Sequence, residues 1–521
     1  MRGFLTRRLP TAMPRSSGSA QRPSSLRVLL LSSLLFSAAP LLAQPLDPLE
    51  DGRGLALLDA VKANDTITAR QLLDGARNVD QPEADGMTAL HYAVLNASEE
   101  LVAALLQAGA DASAATRYGV SPLYLAVQNG DAAITKRLLD AGADPNQEYR
   151  EGERMLMTAA RTGDAATVEL LLNAGAQVDA RENWHGQTAL MWAMAQQHPA
   201  LVKILVSHGA DVNANSNIEE WERQITEEPR EKWLPPGGMT PLHFAAREGC
   251  TACIAPLLQH GADIDAATPK GLTALLLAII NGHYDTAWQL VEAGANVNLN
   301  DDTNRSPLYA AVDFNSMPES NRPSPDVFVN EHDSLALIEL LLKHGADVNV
   351  QLSQMAPYRL KLDRGNDTML GAGTTPFLRA AKSADLPTME LLLRHGADAT
   401  LTTSAGIDPL MAAANLGTHE SDSTGRYKTE AQIIAAIELC QRQGLNVDAR
   451  TRDGRNALFG AATFGFTEVV RYLAEQGAEV HYQDSRGLSP LDAAMGKAGG
   501  FGFSGSDGVF WKETVALLES L

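Results

Sequence analysis

Cys250-Thr251-Ala252-Cys253 sets two thiols one helical turn apart. That spacing suits a redox dithiol, half of a tetrahedral metal site, or a local disulfide among core residues. No second Cys-x-x-Cys exists to complete a zinc site, and Ile254 rather than His follows the pair, which excludes covalent haem attachment. The flanks lack the βαβ setting of a thioredoxin-like motif. The third cysteine, Cys440, stands among apolar residues and reads as core. Histidines and carboxylates are plentiful, yet the chain contains no His-Glu-x-x-His, no Gly-x-Ser-x-Gly and no P-loop. No catalytic residue, no metal site and no cofactor is therefore expected.

Composition narrows the setting for these groups. In 521 residues, 45% are hydrophobic and 5% aromatic, with 42 Gly. This supports a large core of close-packed short helices better than a β-sandwich. Residues 1–43 hold six of the 42 basic residues and none of the 63 acidic ones, so the chain from residue 44 onward carries a formal −27. Such a field repels phosphate backbones and anionic lipid, which excludes nucleic acid as the expected partner. Three cysteines exclude a disulfide-knit scaffold.

Six arginines, Arg2 to Arg27, precede an apolar run from Val28 to Leu42 that is interrupted by Pro40. The run is short for a membrane span and ends at Ala43 before Gln44, so residues 1–43 read as a cleavable signal peptide. The destination is then periplasmic or secreted; an uncleaved anchor in the inner membrane is the alternative. No later segment is apolar enough to span a membrane, so none is expected in the mature chain.

Thr88-Ala-Leu-His91 and Ser121-Pro-Leu-Tyr124 start 33 residues apart, and Thr240-Pro-Leu-His243, Thr273-Ala-Leu-Leu276 and Ser306-Pro-Leu-Tyr309 follow one another by 33, with other copies between and after them. Further copies start at Arg154, Thr188, Thr375 and Ser489, and weaker ones at Leu55, Asp408 and Asn456, giving twelve. Five residues into each stands an alanine, from Ala60 and Ala93 to Ala461 and Ala494. Thr or Ser followed by Pro is a helix N-cap with Pro at the first helical position. The alanine lets a neighbouring repeat approach closely. A second apolar helix follows and ends on a Gly suited to the left-handed conformation, as in Gly109-Ala-Asp111 and Gly209-Ala-Asp211.

Each copy resembles the ankyrin repeat, and the resemblance covers about residues 52 to 521. It implies an α-solenoid of stacked helix-turn-helix units with β-turn fingers, in which neighbours supply one another's core. The expected layout is a linker at 44–51, repeats one to five at 52–214, and a Trp-containing insertion at 215–236. Repeats six to eight follow at 237–350 with an insertion at 314–333, then a further insertion at 351–372. Repeats nine to twelve fill 373–521, with an insertion at 418–430 and a C-terminal cap. Trp221 and Trp233 are expected to pack on the concave face or cover a partner site. On the repeat template Cys250 begins a second helix and Cys253 points inward where the family usually has Val, which favours the structural reading and keeps the redox and metal readings as alternatives. His91 and His243 take the place where the family's imidazole bonds between fingers.

Partners of this family usually bind the concave groove lined by finger tips and the first helices. By register those positions include Arg117, Tyr118, Gln128, Asn129, Arg161, Trp184, His185, Arg247 and Lys270. Trp184 and Tyr118, at the tips of neighbouring fingers, are the expected anchors, since aromatics flanked by Arg are common hot spots. The function expected is a monomeric, exported, non-enzymatic scaffold for a protein partner, for which the acidic charge suggests a basic protein.

Overall fold

The structure is a computed structural model that describes residues 48–74, 78–218, 237–316, 330–355, 371–418, 428–497 and 510–521. Its helices alternate as first and second members of successive pairs. The opening ones are α1 (Pro48–Lys62), α2 (Thr66–Leu73), α3 (Ala89–Leu95), α4 (Glu99–Gln107), α5 (Pro122–Gln128) and α6 (Ala132–Asp140). Next come α7 (Met155–Thr162), α8 (Ala165–Asn173), α9 (Ala189–Ala195), α10 (Ala200–Ser207), α11 (Pro241–Arg247) and α12 (Thr251–Gln259). They are followed by α13 (Ala274–Ile280), α14 (Tyr284–Glu292), α15 (Pro307–Asn315), α16 (Ser334–Lys343), α17 (Pro376–Lys382) and α18 (Leu386–Arg394). The last are α19 (Pro409–Ala413), α20 (Glu430–Arg442), α21 (Ala457–Thr463), α22 (Thr467–Glu475), α23 (Pro490–Ala494) and α24 (Lys512–Ser520). No strand occurs among the described residues; isolated bridges such as Ile218 with Gly237 and Ala267 with Thr273 close the bases of fingers.

Local chemistry starts and stops each helix where the pattern says. Ser121, Thr240, Thr273, Ser306 and Thr375 are N-caps whose hydroxyls accept a bond from the amide three residues on. After α4, Gly109 takes φ +90°, its amide donates to Leu106, and the Ala110 amide donates to Leu105. This double bond satisfies carbonyls that the helix end would leave orphaned.

From α3 to α23 each odd-numbered helix packs on the next odd-numbered one, and the even-numbered helices form a second row that is thinnest between α16 and α18. The register alanines Ala93, Ala126, Ala159, Ala193, Ala245, Ala278, Ala311 and Ala380 are all fully buried in the first row. Leu101, Ile134, Leu171, Leu205, Leu257 and Leu290 fill the second. Each such buried Leu or Ile contributes roughly 1.5–3 kcal/mol.

Polar ladders stitch the pairs together at their ends. The carboxamide of Asn213 accepts from the Asp263 amide (2.8 Å) and donates to Gly261 (2.9 Å); Asn298 and Asn349 repeat this toward Asp347/Gly345 and Asp398/Gly396. Where the same position holds Asp179 or Asp265, only the accepting half remains. At the other end, His198 and His283 donate from Nε2 to the carbonyls of Arg161 and Arg247, which close the preceding first helices. Gly163, at φ +80°, leaves room for that ring: a Cβ there would lie 2.5 Å from the His198 imidazole.

The boundaries of the irregular segments differ from those expected. The helix α1 begins at Pro48, inside the stretch read as linker. Phe314 and Asn315 belong to α15 and are buried, while Asn330 to His332 bind α14, so these ends of 314–333 are part of the stack. Leu352 pairs with Thr374 and Gly373 at a finger base, and Glu430 opens α20. A period counts where the template resumes; it does not say which flanking residues still obey it. Trp221, Trp233 and the proposed signal peptide lie outside the described residues. Among those described, no helix is long and apolar enough to cross a membrane.

Candidate functional site

The fingers are short hairpin-like turns, several of them held by one internal side-chain acceptor. In the finger before α5, the Thr116 hydroxyl accepts from the Tyr118 and Val120 amides and its own amide donates to Val120, while Gly119 turns the chain at φ +77°. In the finger before α9 a carboxylate takes that role. Glu182, buried, accepts from the amides of Trp184 (2.6 Å), His185 (2.9 Å) and Gln187 (2.9 Å). Adjacent tips are then joined through their backbones: Arg117 to Asp85, Asn183 to Glu151, Asn217 to His185, Asp302 to Lys270 and Ser485 to Asp453. The tips therefore form a preorganised row.

Tyr118 is 58% exposed and Trp184 61% exposed on this row. They are not on neighbouring fingers, as the sequence reading had it. The finger carrying Arg150 and Glu151 stands between them, since the two rings are two periods apart. Arg150 joins the aromatic site instead, with its guanidinium 5.8 Å from the Tyr118 ring and 5.9 Å from the Tyr149 ring. Trp184 stacks on His185 with centroids 4.9 Å apart. Arg117 projects from the same tip as Tyr118 and is exposed.

The other expected residues divide by position. Gln128 and Asn129 end α5, and Arg161 lies in the last turn of α7; all three are exposed on the open side of the first helices. Arg247 is less available: it pairs with Glu248 at 2.7 Å and stands 4.8 Å over the Phe244 ring. Lys270, at a later tip, is paired with Asp302 at 2.8 Å. Two residues missed by the sequence reading belong with the exposed tips, Arg150 and Ile218, the latter solvent-exposed beside the Asn217–His185 link. Arg150 stands one period of 33 from Arg117 and Ile218 one period from His185, so the repeat itself points to both.

His91 and His243 lie inside the finger bases. The His243 Nδ1 accepts from the Thr240 amide (3.1 Å), leaving Nε2 to donate to the Leu272 carbonyl (3.0 Å); His91 does the same between Thr88 and Val120. Burial holds both imidazoles below the ordinary histidine range, as it does His283, so they stay neutral braces.

Cys250 and Cys253 are joined in a disulfide, 4% and 0% exposed respectively. Cys440 is a buried free thiol, and burial pushes its pKa well above the ordinary thiol range. Among the described residues no cluster of three or more His, Cys, Asp or Glu could hold a metal ion. A cleft of about 490 Å³ on the second row is lined by Thr251, Asp285, Trp288, Gln289, Glu292, Glu331 and His332. Its one acid–imidazole pair is already engaged, Asp285 accepting from His332 Nδ1 at 2.8 Å while the imidazole stacks on Trp288.

Comparison with known proteins follows the same lines as this geometry. A family model described as "Ankyrin repeats (3 copies)" matches residues 38–116, 57–149, 123–216, 223–301, 242–320 and 377–484. The B-cell lymphoma 3 protein homolog of Mus musculus is 29% identical over 181 residues, which is 34% of this chain and 32% of that protein. Ankyrin repeat protein nuc-2 of Neurospora crassa is 26% identical over 194 residues, 34% of this chain and 16% of its own. An ankyrin repeat and KH domain-containing protein of Caenorhabditis briggsae is 26% identical over 288 residues, 52% of this chain and 9% of its own. The chain spans about a third or less of the length of these relatives.

Proposed function

The chain belongs to the ankyrin-repeat family, and from that premise we propose that it is an exported, non-enzymatic scaffold of twelve repeats that binds a protein partner along its finger tips. One observation carries the reading. Tyr118 and Trp184 stay solvent-exposed on fingers whose backbones are bonded to their neighbours and to their own internal acceptors. A large apolar ring held rigidly in water binds with little ordering cost, which is the chemistry of an interface anchor. Arg117 and Arg150 beside Tyr118, and His185 beside Trp184, supply the polar surround. The acidic charge of the chain favours a basic partner and raises its encounter rate. We take the scaffold to act as a monomer.

The alternative of a redox or metal-handling protein using Cys250 and Cys253 is less well supported, because both cysteines are buried and no further ligand set stands beside them among the described residues. The test of the main reading is affinity capture from a cell-envelope extract, with a Trp184→Ala/Tyr118→Ala chain as control. Trp184→Ala alone should weaken binding of the captured partner by about 2 kcal/mol, some thirtyfold, with unchanged circular dichroism. Equal capture by the double variant refutes the tip site. Export is tested separately by sequencing the mature N-terminus, for which Gln44 is the expected first residue.

A further inference from the structure

The second helices of the stack begin on capping side chains. Asp65, Ser98, Asp131, Asp164, Asp333 and Asp385 each accept a hydrogen bond from a first-turn amide. Two helices whose own N-cap residue makes no such bond are capped from the preceding or following pair. Asn330 Oδ1 accepts from the Tyr284 amide of α14, and Glu430 accepts from the Glu468 and Val469 amides of α22. Helices α10 and α24 start without a side-chain cap but keep an interior free of proline. Among the described helices, α12 alone combines both defects. Its N-cap is Cys250, which makes no capping bond, and Pro256 stands at its sixth residue. Proline there has no N–H to give to the Ala252 carbonyl and is the costliest residue in a helix interior.

At this weakest second helix stands the disulfide Cys250–Cys253. It ties the N-cap residue to the third helical residue, the same two positions that a capping hydrogen bond ties elsewhere in the stack. We propose that the Cys250–Cys253 disulfide is a covalent N-cap, and that it makes the fold of α12, and with it the middle of the second row, conditional on oxidation. Helix α12 lies between α10 and α14. Thr251, enclosed by the two cysteines in sequence, meets Thr286 of α14 at 2.8 Å, and the neighbouring Gly249 lies against the His283 ring. In a stack stabilised by nearest neighbours, loosening α12 removes a wall from both adjacent pairs. Reduction by a dithiol such as dithiothreitol breaks the one S–S bond. Two electrons and two protons pass to the sulfurs of Cys250 and Cys253, and the reductant leaves as its cyclic disulfide.

The experiment is amide hydrogen exchange of the full chain, oxidised and reduced, with two variants. Reduction should speed exchange of the Ile254, Ala255 and Leu257 to Gln259 amides about fivefold or more, the size of a lost cap, while α6 and α18 stay unchanged. Cys250→Asp with Cys253→Val restores a hydrogen-bonding cap and an apolar inward residue. It should keep α12 protected and ignore the reductant. Cys250→Ala with Cys253→Val should exchange like the reduced wild type. Unchanged α12 exchange on reduction overturns the proposal, and so does equal exchange in the two double variants.

Discussion

Replacing His243 by Leu probes the brace between fingers. The imidazole is 1% exposed and bonded on both sides, to Thr240 through Nδ1 and to the Leu272 carbonyl through Nε2. Leucine has similar bulk and no polar atom, so the substitution strands the Thr240 amide and leaves the Leu272 carbonyl with the Thr268 amide as its remaining donor, without opening a large cavity. The orphaned buried amide costs about 1–3 kcal/mol and the second lost bond about 0.5–1.5 kcal/mol, an expected loss of about 2–4 kcal/mol, partly offset by the apolar side chain. Urea denaturation of the wild type and of His243→Leu at pH 7.5 reads this as a shift of the midpoint at constant slope. A second readout separates the brace from mere packing. Burial lowers the folded-state pKa of His243, so below about pH 6.5 the unfolded chain binds protons that the folded chain refuses. Stability contributed by this group is therefore complete above that pH and falls as the pH drops. His91 and His283, shifted in the same direction, add to the slope. His243→Leu should flatten the loss of stability between pH 7 and 5. A destabilisation under about 1 kcal/mol together with an unchanged pH slope refutes the argument.

Gly163→Ala and Gly175→Ala make an informative pair. Both glycines have φ near +80° to +93°, so alanine at either costs about 1–2 kcal/mol, but only at Gly163 does the new Cβ meet the His198 ring. Thermal melts should show Gly163→Ala the worse of the two; equal melts contradict the close approach. Ala278→Leu puts three extra carbons into the fully buried face between α11 and α15 and should cost about 1–3 kcal/mol by denaturant midpoint. A neutral outcome there shows that the first row has slack the packing does not reveal.

The tetrapeptide starts, the register alanines and the terminal glycines are local statements. Ser121 caps α5 through an amide three residues away, and Gly109 ends α4 through carbonyls three to five residues back. Contacts of that range are written in consecutive residues, so the helix starts, the repeat period and the helical solenoid follow from the sequence alone. The adjacency of Cys250 and Cys253 is local too, though the sequence leaves their chemistry open between core thiols, a disulfide, a redox pair and half of a metal site.

The tertiary structure decided what spans one repeat or more. Arg150 reaches Tyr118 over 32 residues, Asn213 reaches Gly261 over 48, and His283 reaches Arg247 over 36. None of these pairings is implied by composition or by the sign of a charge, because each depends on how far one helix pair is displaced against the next. The same displacement puts a whole finger between Tyr118 and Trp184, engages Lys270 with Asp302, and leaves the two aromatic tips open to solvent. Hydrogen bonds and ring contacts fade within a few ångströms, so a sequence that fixes each unit still leaves the site between units to the geometry of stacking.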